Sequence, residues 1–253
     1  MTMSELEVML QAVNEAGQAI LKLQQSGFTI DHKANNDLVT EADLLANEII
    51  TNRVAKAFPA DGWLSEETAD NLERLNKQRV WILDPIDGTI EFAKGVPEYG
   101  ISLALVENGE PILAAVFNPA TAELFHAIKD QGAWLNGERI YCNQTTTDKP
   151  ILLASRSEYK RGEWAQFEAA HKVKQVGSIA YKLALVASGK AHATWSLGPK
   201  NEWDIAAGVL LVAEAGGIVS DKNKQAFRFN QQNVLVNGVV ASSALSFIPF
   251  SLL

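Results

Sequence analysis

The feature that most constrains the fold is a set of three apolar runs separated by turn-forming pairs. The runs cover residues 101–106, 112–117 and 124–128, with Asn-Gly at 108–109 and Asn-Pro at 118–119 between them. Asn-Gly and Asn-Pro pairs favour turns, so each run is expected to be followed by an antiparallel neighbour. The sequence therefore predicts an antiparallel meander in the middle of the chain.

Two helices are predicted before this meander. Residues 4–25 carry apolar side chains at steps of three and four, and Gly27 follows the pattern. Thr40 and Asp43 resemble a capping pair at the start of a second helix, which Pro59 stops. Both segments have the amphipathic period and the end signals of helices.

The second half of the chain has a different texture. Short apolar runs alternate with helical patterns, as they do in α/β units; the runs cover residues 151–154 and 234–236, and the helical patterns cover 162–171, 178–188 and 203–215. A polar stretch at 143–149 precedes this change. We therefore expect an N-terminal α+β half, residues 1–147, and a C-terminal α/β half, residues 148–253.

Composition excludes several classes of protein. Among 253 residues, 22 are basic and 30 acidic, giving a net charge of −8 that disfavours binding to a nucleic-acid polymer. Cys142 is the only cysteine, so a disulfide framework is excluded and a reducing compartment is favoured. No signal-like N-terminus or membrane-length apolar run is present in the sequence. We expect a cytoplasmic protein with no membrane partner.

Acidic residues follow a predicted buried strand. The apolar run at 80–83 ends at Asp84, where we expect the strand to stop. Asp84, Asp87 and the carbonyl of Ile86 could hold a hard cation such as Mg²⁺, which prefers oxygen ligands. If a helix begins at Thr89, the N–H groups of Gly88 and Thr89 form a phosphate cradle. The alternative is an ordinary turn, since Asp-Pro and Asp-Gly pairs are common in turns.

Two further acidic clusters lie beside apolar sequence. Glu66 and Glu67 follow Trp63-Leu64, and Asp204 lies at the start of a predicted helix. Each has an ordinary alternative, a solvated surface pair for the glutamates and a helix-dipole partner for Asp204. Several carboxylates in one pocket are tolerated only when cations accompany them. Together the three clusters favour a metal site.

Three motifs, in this order and spacing, resemble those of a known family: Ser-Glu-Glu at 65–67, Asp-Pro-Ile-Asp-Gly-Thr at 84–89 and Trp-Asp-Ile-Ala-Ala-Gly at 203–208. They are similar to the motifs of the inositol monophosphatase superfamily of lithium-sensitive, magnesium-dependent phosphatases. The resemblance extends upstream to residues 37–43 and downstream to 214–217. It implies a layered αβαβα sandwich, with α+β and α/β halves that share one site.

The resemblance also implies roles for individual residues. Two or three Mg²⁺ ions would be held by Glu66, Asp84, the Ile86 carbonyl, Asp87 and Asp204. Asp43 and Thr89 match the pair that orients and deprotonates the attacking water, and Glu67 could assist from beside the metal ligands. Metal ions and an oriented water suit the hydrolysis of a phosphate monoester, which needs charge stabilisation and positioning.

The substrate is less tightly constrained. Ser196 stands where inositol monophosphatases typically have an acidic residue, and the segment 198–204 is one residue longer than theirs. That form resembles bacterial 3'(2'),5'-bisphosphate nucleotidases, which remove the 3'-phosphate of adenosine 3',5'-bisphosphate. The segment 94–97, Lys-Gly-Val-Pro, is instead more similar to the inositol branch, so inositol 1-phosphate or a related sugar phosphate is the alternative. Candidate substrate contacts are Ser155, Arg156, Ser178, Lys182 and Lys200.

Other classes of function are weaker. A non-catalytic module that binds metal or phosphate is disfavoured because Asp43 and Thr89 are both present. A redox enzyme lacks support, because the chain has neither a Gly-x-Gly-x-x-Gly loop after a strand nor a cysteine pair. We interpret Cys142 and the four histidines as structural. Family relatives are often dimers, which makes a homodimer a candidate assembly.

Overall fold

The computed structural model of the protein describes residues 4–32, 38–142 and 147–248. Asp37, at the upstream end of the family resemblance, lies outside the described residues. Residues 143–146, which form most of the polar stretch at the expected boundary between the halves, also lie outside the described residues.

Within the described residues, the α-helices are α1 (Glu5–Ser26), α2 (Glu41–Ala57), α3 (Thr89–Ala93), α4 (Arg156–Lys160), α5 (Ile179–Ala187) and α6 (Glu202–Glu214). The strands are β1 (Ile30–His32), β2 (Leu38–Thr40), β3 (Gly62–Ser65), β4 (Arg79–Asp87), β5 (Gly100–Glu107), β6 (Glu110–Asn118), β7 (Glu123–Ile128), β8 (Gly132–Leu135), β9 (Glu138–Ile140), β10 (Ile151–Ala154), β11 (Lys172–Gln175), β12 (Ala193–Ser196), β13 (Lys200–Asn201), β14 (Ile218–Ser220), β15 (Leu235–Val236) and β16 (Val239–Ser242). Short 3-10 helices cover Glu73–Asn76, Ala165–Phe167 and Leu245–Phe247.

The larger sheet has seven strands in the order β3-β4-β5-β6-β7-β8-β9. Strands β3 and β4 are parallel, and the remaining neighbours are antiparallel. The predicted meander is confirmed as β5, β6 and β7. Because β3 and β4 run parallel, the residues that follow Ser65 and Leu83 emerge at the same edge of the sheet. That edge is where the acidic residues gather.

The helices and sheets form five layers. Helices α1 and α2 cover one face of the seven-stranded sheet, and α6 and α5 cover the other. A five-stranded sheet, in the order β11-β10-β12-β16-β14, packs on the far side of α5 and α6. Trp164 and Phe167 pack on the outer face of this second sheet, against Trp195. The architecture is the αβαβα sandwich that the resemblance implied.

The predicted N-terminal helices are confirmed, and their first turns show why they begin where they do. Ser4 and Glu7 form a capping box at α1, and Thr40 and Asp43 form one at α2. In each box the side chains satisfy backbone N–H groups that have no partner within the helix. Gly27 ends α1 with φ of 92°.

Two expectations about secondary structure were wrong. Strand β4 does not stop at Asp84 but continues to Asp87, with an irregularity in its pairing to β5 between these residues. The irregularity accommodates Pro85, which cannot donate to the ladder. The pattern at 162–171 is not a continuous helix, because Gly162 has φ of 81° and Trp164 and Phe167 pack inward around a short 3-10 helix.

Among the described residues, no helix combines the length and apolar character needed to cross a bilayer.

Candidate active site

The predicted site residues meet at a cavity of about 900 Å³. It lies where β4 ends and the N-termini of α3, α4, α5 and α6 converge. Of the candidate residues, those lining the cavity are Glu66, Asp84, Ile86, Asp87, Gly88, Thr89, Ser155, Arg156, Ser178, Lys182, Lys200 and Asp204. Asp43 and Glu67 lie outside this lining. Both halves of the chain therefore contribute to one cavity.

Three carboxylates form the core of the site. Oxygen atoms of Glu66, Asp84 and Asp204 all lie within 4.8 Å of one another. Glu66 directly follows β3, and its N–H donates to the carbonyl of Leu83 at 3.2 Å, which ties it to the neighbouring strand. Asp204 lies in the first turn of α6, where its Oδ2 accepts from the N–H of Asn201 at 2.9 Å.

The electrostatics of this cluster fit a divalent cation. Burial, followed by the charges of Glu66 and Asp87, raises the pKa of Asp84 well above its usual value. Burial and the charge of Asp87 raise the pKa of Asp204 to about 8. Carboxylates that repel one another in a buried site are stabilised by a cation with a preference for oxygen. The donor set therefore suits Mg²⁺.

Asp87 is held by the C-terminal half. Its Oδ2 accepts from the Ser178 hydroxyl and from the N–H of Ala180, each at 2.6 Å. Ser178 precedes α5 with φ of 58°, a conformation that is unfavourable for a residue with a Cβ. The same hydroxyl accepts from the N–H of Tyr181 at 2.9 Å, so these bonds hold the strained residue in place. Burial raises the pKa of Asp87, although the hydrogen bonds from Ser178 and Ala180 act to lower it.

Asp43 and Thr89 form the expected pair. The Thr89 hydroxyl oxygen lies 3.1 Å from Asp43 Oδ1 and 3.0 Å from the carbonyl oxygen of Ile86. The other carboxylate oxygen of Asp43 accepts from the N–H and the hydroxyl of Thr40, at 2.8 and 2.6 Å. Asp43 is 2% exposed, and burial raises its pKa. Thr89 thus presents its hydroxyl to the cavity with a fixed acceptor behind it.

Gly88 lines the cavity, whereas Glu67 does not. Gly88 has φ of 95°, and a Cβ there would lie 3.0 Å from the carbonyl oxygen of Glu98, so the turn requires glycine. Helix α3 begins at Thr89, as predicted, directly after this turn. Glu67 is half-buried, and its N–H donates to the Ser65 hydroxyl at 3.3 Å.

Basic side chains also line the cavity. Lys182 is 2% exposed, and burial lowers its pKa to about 8. Within the part of the chain that is described, its ammonium group makes no hydrogen bond or ion pair. Arg156 is already paired, because its guanidinium contacts Glu98 and lies 3.7 Å from Glu91. Lys182 is therefore the better placed of the two to receive an anion.

Sequence reasoning missed Glu158, a buried carboxylate in the cavity wall. It accepts from the Ser196 hydroxyl at 2.6 Å and from Trp164 Nε1 at 3.3 Å. Burial opposes its ionisation, but the Ser196 hydrogen bond and the charge of Lys182 lower its pKa below the usual value. Its spacing from Ser155, three residues earlier, is a capping signal that could have drawn attention to it.

Comparison with known proteins agrees with this arrangement. The family model described as "Inositol monophosphatase family" matches residues 3–246. The chain is 32% identical to the Nus factor SuhB of Escherichia coli, over 94% of this chain and 91% of the relative. It is 33% identical to the fructose-1,6-bisphosphatase/inositol-1-monophosphatase of Thermotoga maritima, over 94% and 93%.

The likeness extends to three-dimensional structure. A solved Thermotoga maritima IMPase superposes with a TM-score of 0.84 and 30% identity, covering 95% of this chain and 92% of that one. Sequence and fold agree over nearly the whole length. The chain belongs to the inositol monophosphatase family, a family of phosphatases.

Proposed function

We propose that the protein is a Mg²⁺-dependent phosphomonoesterase that acts on a small phosphorylated metabolite. The observation that carries this proposal is the convergence, at one cavity, of the Glu66, Asp84 and Asp204 carboxylates with the Thr89–Asp43 pair. Asp87 and the Ile86 carbonyl complete the proposed ligand set. Family membership supports the same reaction class.

Different residues of the chain have different roles in the proposed reaction. Bound Mg²⁺ would supply positive charge to the phosphate oxygens and acidify water. Thr89 can accept a hydrogen bond from a water molecule while its own hydroxyl hydrogen points to Asp43. Asp43 then receives the proton through Thr89, and its raised pKa makes it a stronger acceptor. The N–H groups of Gly88 and Thr89 are the proposed phosphate donors.

The proposed substrate is adenosine 3',5'-bisphosphate, which would lose its 3'-phosphate. Its second phosphate requires a cation besides the metal ions, and Lys182 and Lys200 both line the cavity. Ser155, Arg156 and Ser178 line it as well, as the other proposed substrate contacts. One relative is named as a fructose-1,6-bisphosphatase, a name that implies a substrate with two phosphate groups, and this supports the proposal.

Inositol 1-phosphate is the second candidate. The observation in its favour is the pair of relatives named as inositol-1-monophosphatases, at 33% identity over 94% of the chain. In this chain the Ser196 hydroxyl donates to Glu158, so a buried carboxylate stands beside the position that the inositol branch fills with an acid. Glu158 could accept hydrogen bonds from substrate hydroxyls in place of that acid.

The organisation of the chain in two halves supports a site to which both halves contribute residues. The seven-stranded sheet lies within residues 62–140 and the five-stranded sheet within 151–242. We propose a boundary at 147/148, and the separation of the two sheets along the chain supports it. The first half supplies the proposed ligands other than Asp204, and the second supplies Asp204 and the proposed substrate contacts in Ser155–Lys200.

The test is phosphate release from adenosine 3',5'-bisphosphate and from inositol 1-phosphate, each with Mg²⁺, with EDTA, and with added Li⁺. We expect Mg²⁺-dependent, Li⁺-inhibited release and a preference for the nucleotide of about a hundredfold in kcat/KM, nearly 3 kcal/mol. The matched variants are Asp84→Asn, which should lose at least about a thousandfold in kcat, and Asp148→Asn, at an exposed position outside the cavity.

The outcomes separate the proposals. A preference for inositol 1-phosphate would replace the nucleotide assignment but leave the phosphatase mechanism standing. Equal rates for Asp84→Asn and the wild type would contradict the ligand assignment. Mg²⁺ binding without release from either ester or from other phosphomonoesters would instead support a non-catalytic module.

A further inference from the structure

A second cavity, of about 410 Å³, adjoins the active site. It shares Glu158 and Glu163 with the lining of the first cavity, and its other walls come from Trp164, Gln166, Phe167, Trp195 and Leu197. None of these residues belongs to the proposed metal ligands or to the Thr89–Asp43 pair. The two cavities therefore meet at Glu158 and Glu163.

The walls of this second cavity are aromatic and rigid. The rings of Trp164 and Trp195 stack with centroids 4.3 Å apart and an angle of 18°. Phe167 packs its ring at 79° to Trp195, with centroids 5.0 Å apart. Trp164 Nε1 donates to Glu158, so the aromatic wall is attached to the junction between the cavities. Trp195 lies on β12, within the second sheet.

The lining indicates what chemical group fits. Trp164 and Trp195 are 2% and 4% exposed and stack on each other, so Phe167 and Leu197 form the more accessible apolar wall. Aromatic and aliphatic walls favour a flat apolar group. The amide oxygen of Gln166 can accept from ring amino groups, and so can the carboxylate of Glu163, which is also ion-paired with Arg161. A polyol would lose water from its hydroxyls against these walls with little return, and a phosphate would face Glu158 and Glu163. The lining favours a planar, neutral heteroaromatic ring.

We propose that the second cavity binds the nucleobase of a nucleotide substrate while the phosphates remain in the first cavity. This assignment rests on the proposed phosphatase function and specifies its substrate class. Lys182 and Lys200 line only the first cavity, so positive charge lies beside the phosphates and the aromatic wall lies beside the base. The two cavities together match the two ends of a nucleoside bisphosphate.

The first experiment measures discrimination between two bisphosphates, one with a base and one without. For the wild type and its variants, kcat/KM with Mg²⁺ is measured for adenosine 3',5'-bisphosphate and for fructose 1,6-bisphosphate. Leu197→Ser is the main variant because Leu197 is 41% exposed, and Phe167→Ala is the second. Leu245→Ser, at a leucine that is 58% exposed and outside both cavities, is the matched control.

We expect the ratio of kcat/KM, nucleotide over sugar bisphosphate, to fall about tenfold in Leu197→Ser and in Phe167→Ala. The ratio should stay within about twofold of the wild type in Leu245→Ser. Thermal unfolding of each variant confirms that it is folded. An unchanged ratio in folded Leu197→Ser would overturn the assignment.

The second experiment needs no catalysis. Adenosine, which carries no phosphate, is titrated into the metal-free protein while tryptophan fluorescence is recorded. Saturable quenching that weakens in Leu197→Ser supports the subsite, even if no ester is hydrolysed and the proposed function fails. Hydrolysis of the sugar bisphosphate without adenosine binding, and without a changed ratio, would overturn the subsite and leave the phosphatase function standing.

Discussion

At the scale of single residues, the proposed chemistry depends on the hydrogen bonds that the Thr89 hydroxyl forms. Thr89 Oγ1 lies within hydrogen-bond distance of both Asp43 and the Ile86 carbonyl, so its hydrogen is directed away from the cavity. Its lone pairs remain available to a water molecule. In the proposed mechanism, the orientation of the attacking water therefore depends on the hydroxyl group of Thr89 and not on the size of its side chain.

Replacing Thr89 tests this dependence. We predict that Thr89→Ala lowers kcat by about a hundredfold or more with little change in KM, because a general-base contribution is lost. Thr89→Ser keeps the hydroxyl and should retain most of the activity. Steady-state kinetics on the preferred substrate measures both, and equal losses in the two variants would contradict the role of the hydroxyl.

The buried Lys182 leads to a prediction about how the KM for a bisphosphate depends on pH. Because burial lowers its pKa to about 8, it is charged below that pH and neutral above it. The KM for a bisphosphate should therefore rise as pH increases through about 8, and Lys182→Met should show a high KM throughout. Lys174→Met, at an exposed position on β11, is the control. A pH profile for Lys182→Met that matches the wild type would contradict this role.

Residues of the site differ in how well the sequence predicts them. Asp84, Asp87 and Thr89 could be predicted because one short segment carries them all. Glu98 could not, because its importance comes from its contact with Arg156, which is distant in the sequence. The capping spacing of Glu158 marks a helix start but does not reveal its contact with Ser196. Tertiary contacts of this kind leave no local pattern.

At the scale of elements, two helix starts serve the site. Asp43 and Asp204 each occupy the third position of a capping box, and each uses Oδ2 to accept a backbone N–H. The cap fixes the carboxylate's orientation. The same spacing that predicted the start of α2 therefore also positions Asp43 of the proposed general-base pair.

The capping carboxylate of α6 makes the metal-free protein sensitive to pH. The pKa of Asp204 is about 8 in the folded state and near 3.8 when the group is unperturbed. The folded state thus binds more protons between about pH 4 and 8, and its free energy of unfolding falls as pH rises through that window. Added Mg²⁺ should offset this loss, with a larger gain in Tm at pH 8 than at pH 5.

The matched variants are Asp204→Asn and Asp148→Asn. Without metal at pH 8, Asp204→Asn should raise Tm by a few degrees, since roughly 1 kcal/mol corresponds to about 2 to 4 °C at this chain length. Asp148→Asn should behave as the wild type. If Mg²⁺ raised Tm equally at pH 5 and pH 8, or raised it as much in Asp204→Asn as in the wild type, the proposed role of the carboxylates in binding Mg²⁺ would be contradicted.

The elements also show where local patterns fail. The meander and α1, α2 and α6 were predicted because their periodicity and end signals agree. The segment at 162–171 was not, because Trp164 and Phe167 are buried against Trp195 by packing on a sheet and not by helical periodicity. Strand β4 passes Pro85 through an irregularity that the Asp-Pro pair does not signal.

At the scale of the whole molecule, a buried arginine joins the halves near the site. Arg74 is 2% exposed and donates to Asp70, to the side chain of Asn230 at 2.7 Å and to the carbonyl of Gln231 at 3.0 Å. Glu202, at the start of α6, accepts from the N–H groups of the same two residues. This network ties the position of α6, and hence Asp204, to the N-terminal half.

Removing the arginine should destabilise the fold. We predict that Arg74→Met costs about 3 kcal/mol, or roughly 6 to 12 °C in Tm. The Asn230 side chain and the Gln231 carbonyl would lose their donor, and the buried Glu202 would lose a nearby positive charge. Arg228→Met is the matched control, since Arg228 also reaches the other half but is 63% exposed in its pair with Glu110. Its cost should stay below about 0.5 kcal/mol. Equal shifts in thermal unfolding would contradict the network's role.

The most direct test of the account is to locate the metal. Crystals grown with Mn²⁺ in place of Mg²⁺, and with inorganic phosphate, would be measured by anomalous diffraction. We predict a metal peak at about 2.1 Å from carboxylate oxygens of Glu66, Asp84 and Asp204, with phosphate beside Thr89. A saturated, active protein whose metal peak lies away from these three carboxylates would contradict it.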